Sequence, residues 1–430
     1  MLTEEIEKCM HDIKNTRNNV GIVAPAGTGK TTLIRDLVEN DHNKKYMVLA
    51  LTGVAAENIG GRTYHSTLKM PFNVLNDDEI NYIRRPNNDL KNIDVLILEE
   101  ISMIRADHFD AIEFMFRNSR KNNSFFGGVQ VVLVGDPFQL KPIVNFSSDP
   151  YGSEYDKIFK DRYSGPYFFN SLCFDINKFK WHKLTKIFRQ EDPMFINNLN
   201  RIRIGDVDDY IVNYFNTRYD PYYNISKDSG VVIATSKWYK EQFNKNAMKL
   251  LDGMVYTNYA SKSGDISINS TPAEKILVLK KNAKVMMVKN DSEKRWVNGT
   301  LGKVINILPD HLEVLINGKL QTINKNKWSN IEHKYDELTG ELREIERGSI
   351  IQYPLAPGYA FTDKKVQGLT FSEVAIHTGR GLYDSGQAYN ILSRCKTFEN
   401  IHLLTKLKRS DFIVDKKVIE FMKNVDAIAE

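Results

Sequence analysis

Between residues 20 and 38 an apolar run, a glycine-bearing loop and a helix-spaced segment follow one another without a spare residue. Val20-Gly21-Ile22-Val23 reads as a short buried strand, and Ala24-Pro25-Ala26-Gly27-Thr28-Gly29-Lys30-Thr31-Thr32 as the loop. Leu33-Ile34-Arg35-Asp36-Leu37-Val38 then continues at helical spacing. A strand that turns straight into a helix through glycines belongs in an α/β fold, where helices cover a parallel sheet. The same junction is built to hold phosphate. Gly27 and Gly29 let backbone amides curl round phosphate oxygens, and the helix N-terminus adds partial positive charge. Ala26, Gly27, Thr28, Gly29 and Thr32 are therefore expected to line a nucleotide. Lys30 would reach its β and γ phosphates, and the Thr31 hydroxyl would complete a Mg²⁺ site. Ala24 stands where glycine usually opens such a loop, and it tightens the turn without removing a donor.

Two further apolar runs end in the polar groups such a loop needs. Asp94-Val95-Leu96-Ile97-Leu98 leads into Glu99-Glu100. The first carboxylate is expected to hold Mg²⁺ and Glu100 to polarise the attacking water. Aspartate is commoner at the first of these positions, and Glu99 is one methylene longer. Val129-Gln130-Val131-Val132-Leu133-Val134 runs into Gly135-Asp136-Pro137-Phe138-Gln139. A glutamine beyond a strand end and beside a γ-phosphate can distinguish triphosphate from diphosphate, so Gln139 is expected to be a sensor.

Composition narrows the class further. At 42% hydrophobic and 26% charged residues the chain has ordinary globular composition, and 430 residues suffice for about three domains. No apolar run approaches the ~20 residues of a membrane helix, and the acidic start Thr3-Glu4-Glu5-Ile6-Glu7 is unlike a secretion signal. Cys9, Cys173 and Cys395 are odd in number and far apart, which excludes a disulfide scaffold and fits a reducing compartment. Residues 1–182 carry a net charge of −2 and residues 183–430 a net of +7. A basic C-terminal part permits a polyanionic partner without establishing one.

The order of motifs resembles the superfamily-1 helicases, and in particular the PIF (petite integration frequency) family of 5′-to-3′ DNA helicases. Thr52-Gly53-Val54-Ala55-Ala56-Glu57-Asn58-Ile59-Gly60-Gly61-Arg62-Thr63-Tyr64-His65-Ser66 is similar to the family's first DNA-contacting motifs. The span from Ile101-Ser102-Met103-Ile104-Arg105 to Gly127-Gly128-Val129-Gln130 covers its signature. Leu184-Thr185-Lys186-Ile187-Phe188-Arg189-Gln190, Val366-Gln367-Gly368-Leu369-Thr370-Phe371 and Tyr389-Asn390-Ile391-Leu392-Ser393-Arg394-Cys395 resemble later motifs. Three positions depart from the pattern. Leu51 replaces a proline, Lys364-Lys365-Val366-Gln367-Gly368 replaces a His-Lys-Ser-Gln-Gly run, and no glutamine stands among residues 3–7 to read adenine.

The resemblance implies an α/β protein with two RecA-like P-loop motor domains. The first would comprise residues 1–64 and 82–182, with a wedge-loop insertion at 65–81. The second would comprise 183–271 and 351–430, with a small Src-homology-3-like β-barrel inserted at 272–350. Strand-period alternation there, and turns at Asn298-Gly299 and Asn317-Gly318, fit that insertion. Trp296 and Trp328 within it suit a core position and base stacking equally. Arg189, Arg394 and Gly368 would face the nucleotide, the two arginines as charge-stabilising fingers. Thr52, Gly53, Thr63, His65, Pro71, Phe72, Ser236, Lys237, Asn298, Lys364 and Lys365 would contact DNA, mostly through its backbone. The implied activity is ATP- and Mg²⁺-dependent 5′-to-3′ translocation on single-stranded DNA, unwinding duplex and G-quadruplex in genome maintenance. Its partners would be single strands and single-strand/duplex junctions, with no membrane, and the motor would be a monomer. A cytoplasmic setting in a bacterium, phage or virus is expected, or nuclear or mitochondrial in a eukaryote. Two other readings stay open: a translocase that strips proteins from DNA, and a nucleotide-gated DNA-binding protein with weak hydrolysis.

Overall fold

The computed structural model describes residues 3–51, 62–68, 70, 75, 90–144, 159–223, 230–266, 274–296, 298–335 and 342–429. The chain forms two compact units, Met1–Pro221 with Arg380–Glu430, and Tyr222–Gly379. No helix among the described residues is long and apolar enough to cross a membrane.

The first unit is built on a six-stranded, wholly parallel sheet. In chain order its strands are β1 (Asn19–Val23), β2 (Tyr46–Ala50), β3 (Arg62–Thr63), β4 (Val95–Glu99), β5 (Gln130–Gly135) and β6 (Phe179–Lys183). They lie side by side as β3-β2-β4-β5-β1-β6. Every residue of β4 and β5 is buried, as expected of strands covered on both faces. Helices α1 (Glu4–Asn15) and α2 (Lys30–Asn40) cover one face, where Ile6, Ile13, Leu33 and Leu37 meet Val20, Ile22, Ile97 and Val132. Tyr64, opening the short helix α3 (Tyr64–Leu68), and α4 (Ala106–Arg120) contribute to the core on the other face.

An aromatic cluster explains why the C-terminal segment belongs to this unit. The C-terminal helix carries Phe421 into it, stacked on Phe169 with ring centroids 4.4 Å apart and edge-on to Trp181 at 5.7 Å. Trp181 lies so close over β1 that a Cβ on Gly21 would sit 2.3 Å from its ring. Arg120, at the end of α4, donates to the carbonyls of Leu90, Lys91, Ile93 and Gly127 at 2.8–3.1 Å. One guanidinium thus fastens the chain where it enters β4. This unit also holds α5 (Pro193–Ile204) and α6 (Asp209–Asn216) and, after the second unit, the helix Gln387–Leu392, the strand Ile401–Leu403 and the C-terminal helix Lys416–Ile428.

The second unit opens with β7 (Val231–Ala234) and α7 (Lys237–Lys249), continues through strands β8 (Tyr256–Tyr259) to β17 (Leu355–Pro357), and returns with β18 (Ala360–Thr362) and β19 (Val374–His377). β7 pairs in parallel with β18 and with β19. The middle of the unit is antiparallel. Strands β11 (Lys284–Met287), β12 (Leu301–Ile307), β13 (Leu312–Ile316) and β14 (Lys319–Ile323) join β17 in one five-stranded sheet. Its core holds Val285, Met287, Trp296, Val304, Val314 and Tyr353. β13 and β14 pair from Ile316 with Lys319, leaving Asn317 and Gly318 as a two-residue turn with φ of 49° and 75°. Positive φ at both central residues is the hairpin geometry expected of Asn-Gly. Trp296 is a core residue, whereas Trp328 is half-buried under Lys289, whose ammonium lies 5.4 Å from the ring centroid.

The sequence reading assigned 183–221 and 380–430 to the motor that also contains β7. The compact units divide the chain at other points, after Pro221 and before Arg380, while the strand Ile401–Leu403 of the last segment lies in the same four-stranded sheet as β7.

Candidate nucleotide site and nucleic-acid interface

Parallel pairing brings the ends of β1, β4 and β5 to one edge: Val23 is level with Gly135, and Glu99 with Val134. Ligands of open α/β sheets bind at this carboxyl edge. Gly27 and Gly29 adopt φ of 83° and 87°, and Gly29 caps α2 in the left-handed conformation. Such backbone is cheap only for glycine. Ala24, by contrast, has an ordinary negative φ, and its amide donates to Gly135 O at 3.1 Å. That explains why alanine is tolerated there. The Lys30 ammonium folds back onto its own loop, donating to Ala24 O and Pro25 O at 2.8 Å each. Burial holds it below the usual lysine range, opposed by Asp136, Glu100 and Glu99. Thr28 is buried and donates to Pro25 O, Thr31 is half-buried and Thr32 exposed.

The two carboxylates differ. Glu99 is buried and its Oε2 has no hydrogen-bond partner among the described residues. Burial first, and the charge of Glu100 second, hold it well above the usual carboxylate range, with Lys30 pulling the other way. An unpartnered buried carboxylate oxygen of this kind fits a cation. No cluster of three or more His, Cys, Asp or Glu stands ready for a metal among the described residues. Mg²⁺ beside nucleotide phosphates requires only one or two carboxylates. Glu100 has φ 55° and ψ 47°, a conformation costing a non-glycine residue of order 1 kcal/mol or more and concentrated at functional sites. Gly135 makes room for that turn, since a Cβ there would meet Ile101 at 2.8 Å.

Arg189 and Arg394 come to the same place by separate routes. Phe188 N donates to Gly27 O at 2.8 Å, and a Cβ on Gly27 would touch the Arg189 side chain at 2.6 Å. Helix α8 (Gln387–Leu392) carries Arg394 at its end. Arg189 Nη1 and Gln190 Nε2 both donate to Ser393 O, at 3.0 and 3.2 Å. Arg394 is fully buried, donating through Nε to Asn390 O and through Nη2 to Ser393 Oγ. Burial, and then Arg189, push its guanidinium down to about 9, while Glu100 acts in the opposite sense. Burial likewise lowers Arg189. One buried cation, Arg394, and two half-buried ones, Lys30 and Arg189, mark a space suited to a polyanion. Gln139 is buried with Oε1 unpartnered among the described residues. The two backbones touch here: a Cβ on Gly386, which precedes α8, would lie 2.3 Å from Gln139 O.

The PIF1-like helicase family pattern matches residues 1–211. The solved structure of Pif1 helicase from Bacteroides in complex with ADP-AlF3 and ssDNA superposes with a TM-score of 0.81 at 32% identity, covering 99% of this chain and 98% of that one. The chain belongs to the PIF1-like helicase family. A structure of two coordinating Pif1 helicases unwinding forked dsDNA is similar at 32% identity, with a TM-score of 0.80 over 99% of this chain and 98% of that one. ATP-dependent DNA helicase Pif1 of Bdellovibrio bacteriovorus is 27% identical over 97% of this chain and 91% of its own length. Eukaryotic members are longer: the chain spans 58% or less of the vertebrate and budding-yeast relatives it matches.

Of the residues expected to touch DNA in this PIF1-like helicase, Thr52, Gly53, Pro71 and Phe72 lie outside the described residues. Thr63 ends β3 and is half-buried. His65 is buried, its ring stacked on Tyr64 at 4.0 Å and edge-on to His108 at 5.2 Å. A phosphate contact would require the ring to leave that stack. Burial, His108 and Arg105 bring it down to about 3. Arg105 Nη2 donates to His108 Nε2 at 2.6 Å and to Asp107 at 2.7 Å, so His108 Nδ1 holds the proton shared with Tyr64 Oη at 2.9 Å. In the second unit Ser236 caps α7 by accepting from Tyr239 N, and Lys237 is exposed. Lys365 and Asn298 meet, Nζ donating to Oδ1 at 3.0 Å, with Lys364 half-buried next to them in sequence. Gly368 is exposed with φ 79°.

Three site residues escaped the sequence reading. Asp136, fully buried, accepts both Nε and Nη2 of Arg203 at 2.9–3.0 Å and fastens the Gln139 turn to α5. Arg203 at the end of a helix reads simply as a complement to the helix dipole. Tyr389 was noted only as part of a motif, yet its hydroxyl accepts the Ala26 amide at 2.8 Å.

Proposed function

We propose that this chain is an ATP-dependent DNA helicase that translocates 5′-to-3′ on single-stranded DNA and opens duplex ahead of it. The observation that carries this reading is the convergence of Arg189, Arg394 and Lys30 on one glycine loop beside Glu100. Those groups match the charges of a triphosphate undergoing hydrolysis. Lys30 exchanges the Ala24 and Pro25 carbonyls for phosphate oxygens, and the arginines neutralise charge that grows on the transferred group. Glu100 orients and polarises the attacking water from the strand end, and Gln139 registers whether the terminal phosphate is present. Thr31 and the vacant oxygen of Glu99 would hold Mg²⁺, which when bound polarises the phosphate oxygens.

Thr52, Gly53 and Thr63 hold backbone phosphates of a single strand, His65 joins them once its ring leaves the Tyr64 stack, and Ser236, Lys237, Asn298, Lys364 and Lys365 hold phosphates likewise. Pro71 and Phe72 act as a wedge at a junction, and residues 272–350 are the Src-homology-3-like insertion. G-quadruplex DNA is a further substrate. The polarity rests on family membership alone, so the test is unwinding of forks bearing either a 5′ or a 3′ tail. Preferential opening of the 5′-tailed fork, with ATP turnover stimulated by single-stranded DNA, is expected. Equal or inverted preference refutes the polarity, and negligible turnover with and without DNA refutes the motor.

A further inference from the structure

The hydroxyl of Tyr389 has an unused proton. Tyr389 lies in α8 and is 3% exposed. Its oxygen accepts one hydrogen bond, from Ala26 N at 2.8 Å. A phenol is also a donor, and among the described residues no acceptor lies within reach of that proton. A buried donor left without an acceptor is costly, and native structures rarely hold one without a reason. The surroundings say which acceptor is missing. The charged groups acting on Tyr389 are Asp136, whose carboxylate is already closed by Arg203, then Arg203 itself and Arg394, and Arg189 feels its charge state too. Arg189 and Arg394 also feel Glu100. Ala26 lies at the end of the loop away from α2, whose N-terminus begins at Lys30. The open proton therefore belongs to the part of the site where the loop, two guanidinium groups and the water-polarising carboxylate meet. An acceptor-only anion completes it.

We propose that the Tyr389 hydroxyl donates a hydrogen bond to the terminal phosphate of the bound triphosphate while keeping the Ala26 amide as its own donor. Tyr389 is then a substrate-contacting residue that separates triphosphate from diphosphate, and it deepens the ATPase reading on which it rests. The contact also gives the terminal phosphate a direct grip on α8. Tyr389, Asn390 and Ser393 lie within two turns, and the last two hold Arg394 by Asn390 O and Ser393 Oγ. A phosphate that engages Tyr389 therefore fixes the segment presenting the arginine, and its release frees it.

The test is Tyr389→Phe, which removes one oxygen and keeps the ring. Affinity for ADP and for a non-hydrolysable ATP analogue is measured by displacement of a fluorescent nucleotide, beside steady-state ATPase with saturating single-stranded DNA. A hydrogen bond to a charged oxygen corresponds to about a 10- to 100-fold change. Analogue affinity and kcat should each fall at least about 10-fold, while ADP affinity stays within about twofold and the unfolding midpoint holds. An unchanged analogue-to-ADP ratio overturns the proposal, and so does an equal loss of both affinities, which would mark a purely structural tyrosine. A wild-type protein that binds ADP and the analogue but does not turn over ATP sinks the motor reading alone, because the binding ratio still decides Tyr389.

Discussion

Breaking the Asp136–Arg203 pair tests whether the Gln139 turn is held by charge. Asp136 has no exposed surface, and its carboxylate takes two nitrogens of a guanidinium that also lies 4.7 Å over the Phe138 ring. Removing one partner of such a buried pair leaves an uncompensated charge and costs about 3–5 kcal/mol. For a unit of this size each kcal/mol moves the melting midpoint by about 2–4 °C, so Asp136→Ala should lower it by about 6–20 °C. Arg203→Met should do the same. The double variant should be less damaging than the sum of the two, because an apolar pair replacing a buried ion pair is often near neutral. The measurement is a double-mutant cycle on thermal midpoints at matched pH and salt, with ATPase as a second readout because Gln139 sits on the turn. Strictly additive losses, or single variants within about 1 °C of the parent, would show that the pair does not hold the turn.

Lys30→Ala should abolish ATP turnover and leave single-strand affinity within about twofold by fluorescence anisotropy, because Lys30 bonds only within its own loop. Gly386→Ala places a Cβ 2.3 Å from Gln139 O at a φ of 75°. It should cost about 2–4 kcal/mol, seen as a lowered midpoint together with reduced turnover. His65 is lowered in the fold to about 3, so the unfolded chain takes up the extra proton. Stability is full above pH 6.5 and declines as pH falls from there toward 3, by about 1–2 kcal/mol at pH 5. A His65→Phe variant should show a shallower midpoint-versus-pH profile over that window. Glu99→Asp should preserve or raise turnover in Mg²⁺; a collapse would show a site shaped around the longer side chain.

Sequence legibility followed the range of the interaction. β1, its loop and α2 are contiguous, so strand, glycines and helix could be read together, and the same holds for β4 into Glu99 and β5 into Gly135. The Asn317-Gly318 hairpin was visible because its two glycine-like dihedrals and its flanking alternation are local. What escaped is tertiary. Ala26 and Tyr389 are 363 residues apart, and Asp136 and Arg203 are 67 apart. A single chain carries no periodic signal for such partners. The division into compact units is likewise tertiary. Phe421 and Gly386 commit the C-terminal segment to the P-loop unit through side-chain packing and a close backbone approach, and neither leaves a mark in composition. His65 shows the converse limit. Its place in a DNA-contacting motif says nothing of its neighbours, whereas the fold stacks it on Tyr64 beside the Arg105-Asp107-His108 group and buries it.

Arg120 carries a mechanical implication. The residues expected to meet a fork lie upstream of Leu90, and anything that tugs on them pulls first on the carbonyls of Leu90, Lys91 and Ile93. All three are moored to one guanidinium. Tension would then be shared with α4 before it reached the strand that ends in Glu99. Cutting the mooring with Arg120→Ala would be expected to make turnover sensitive to opposing force in a single-molecule trap where the parent enzyme is indifferent to it.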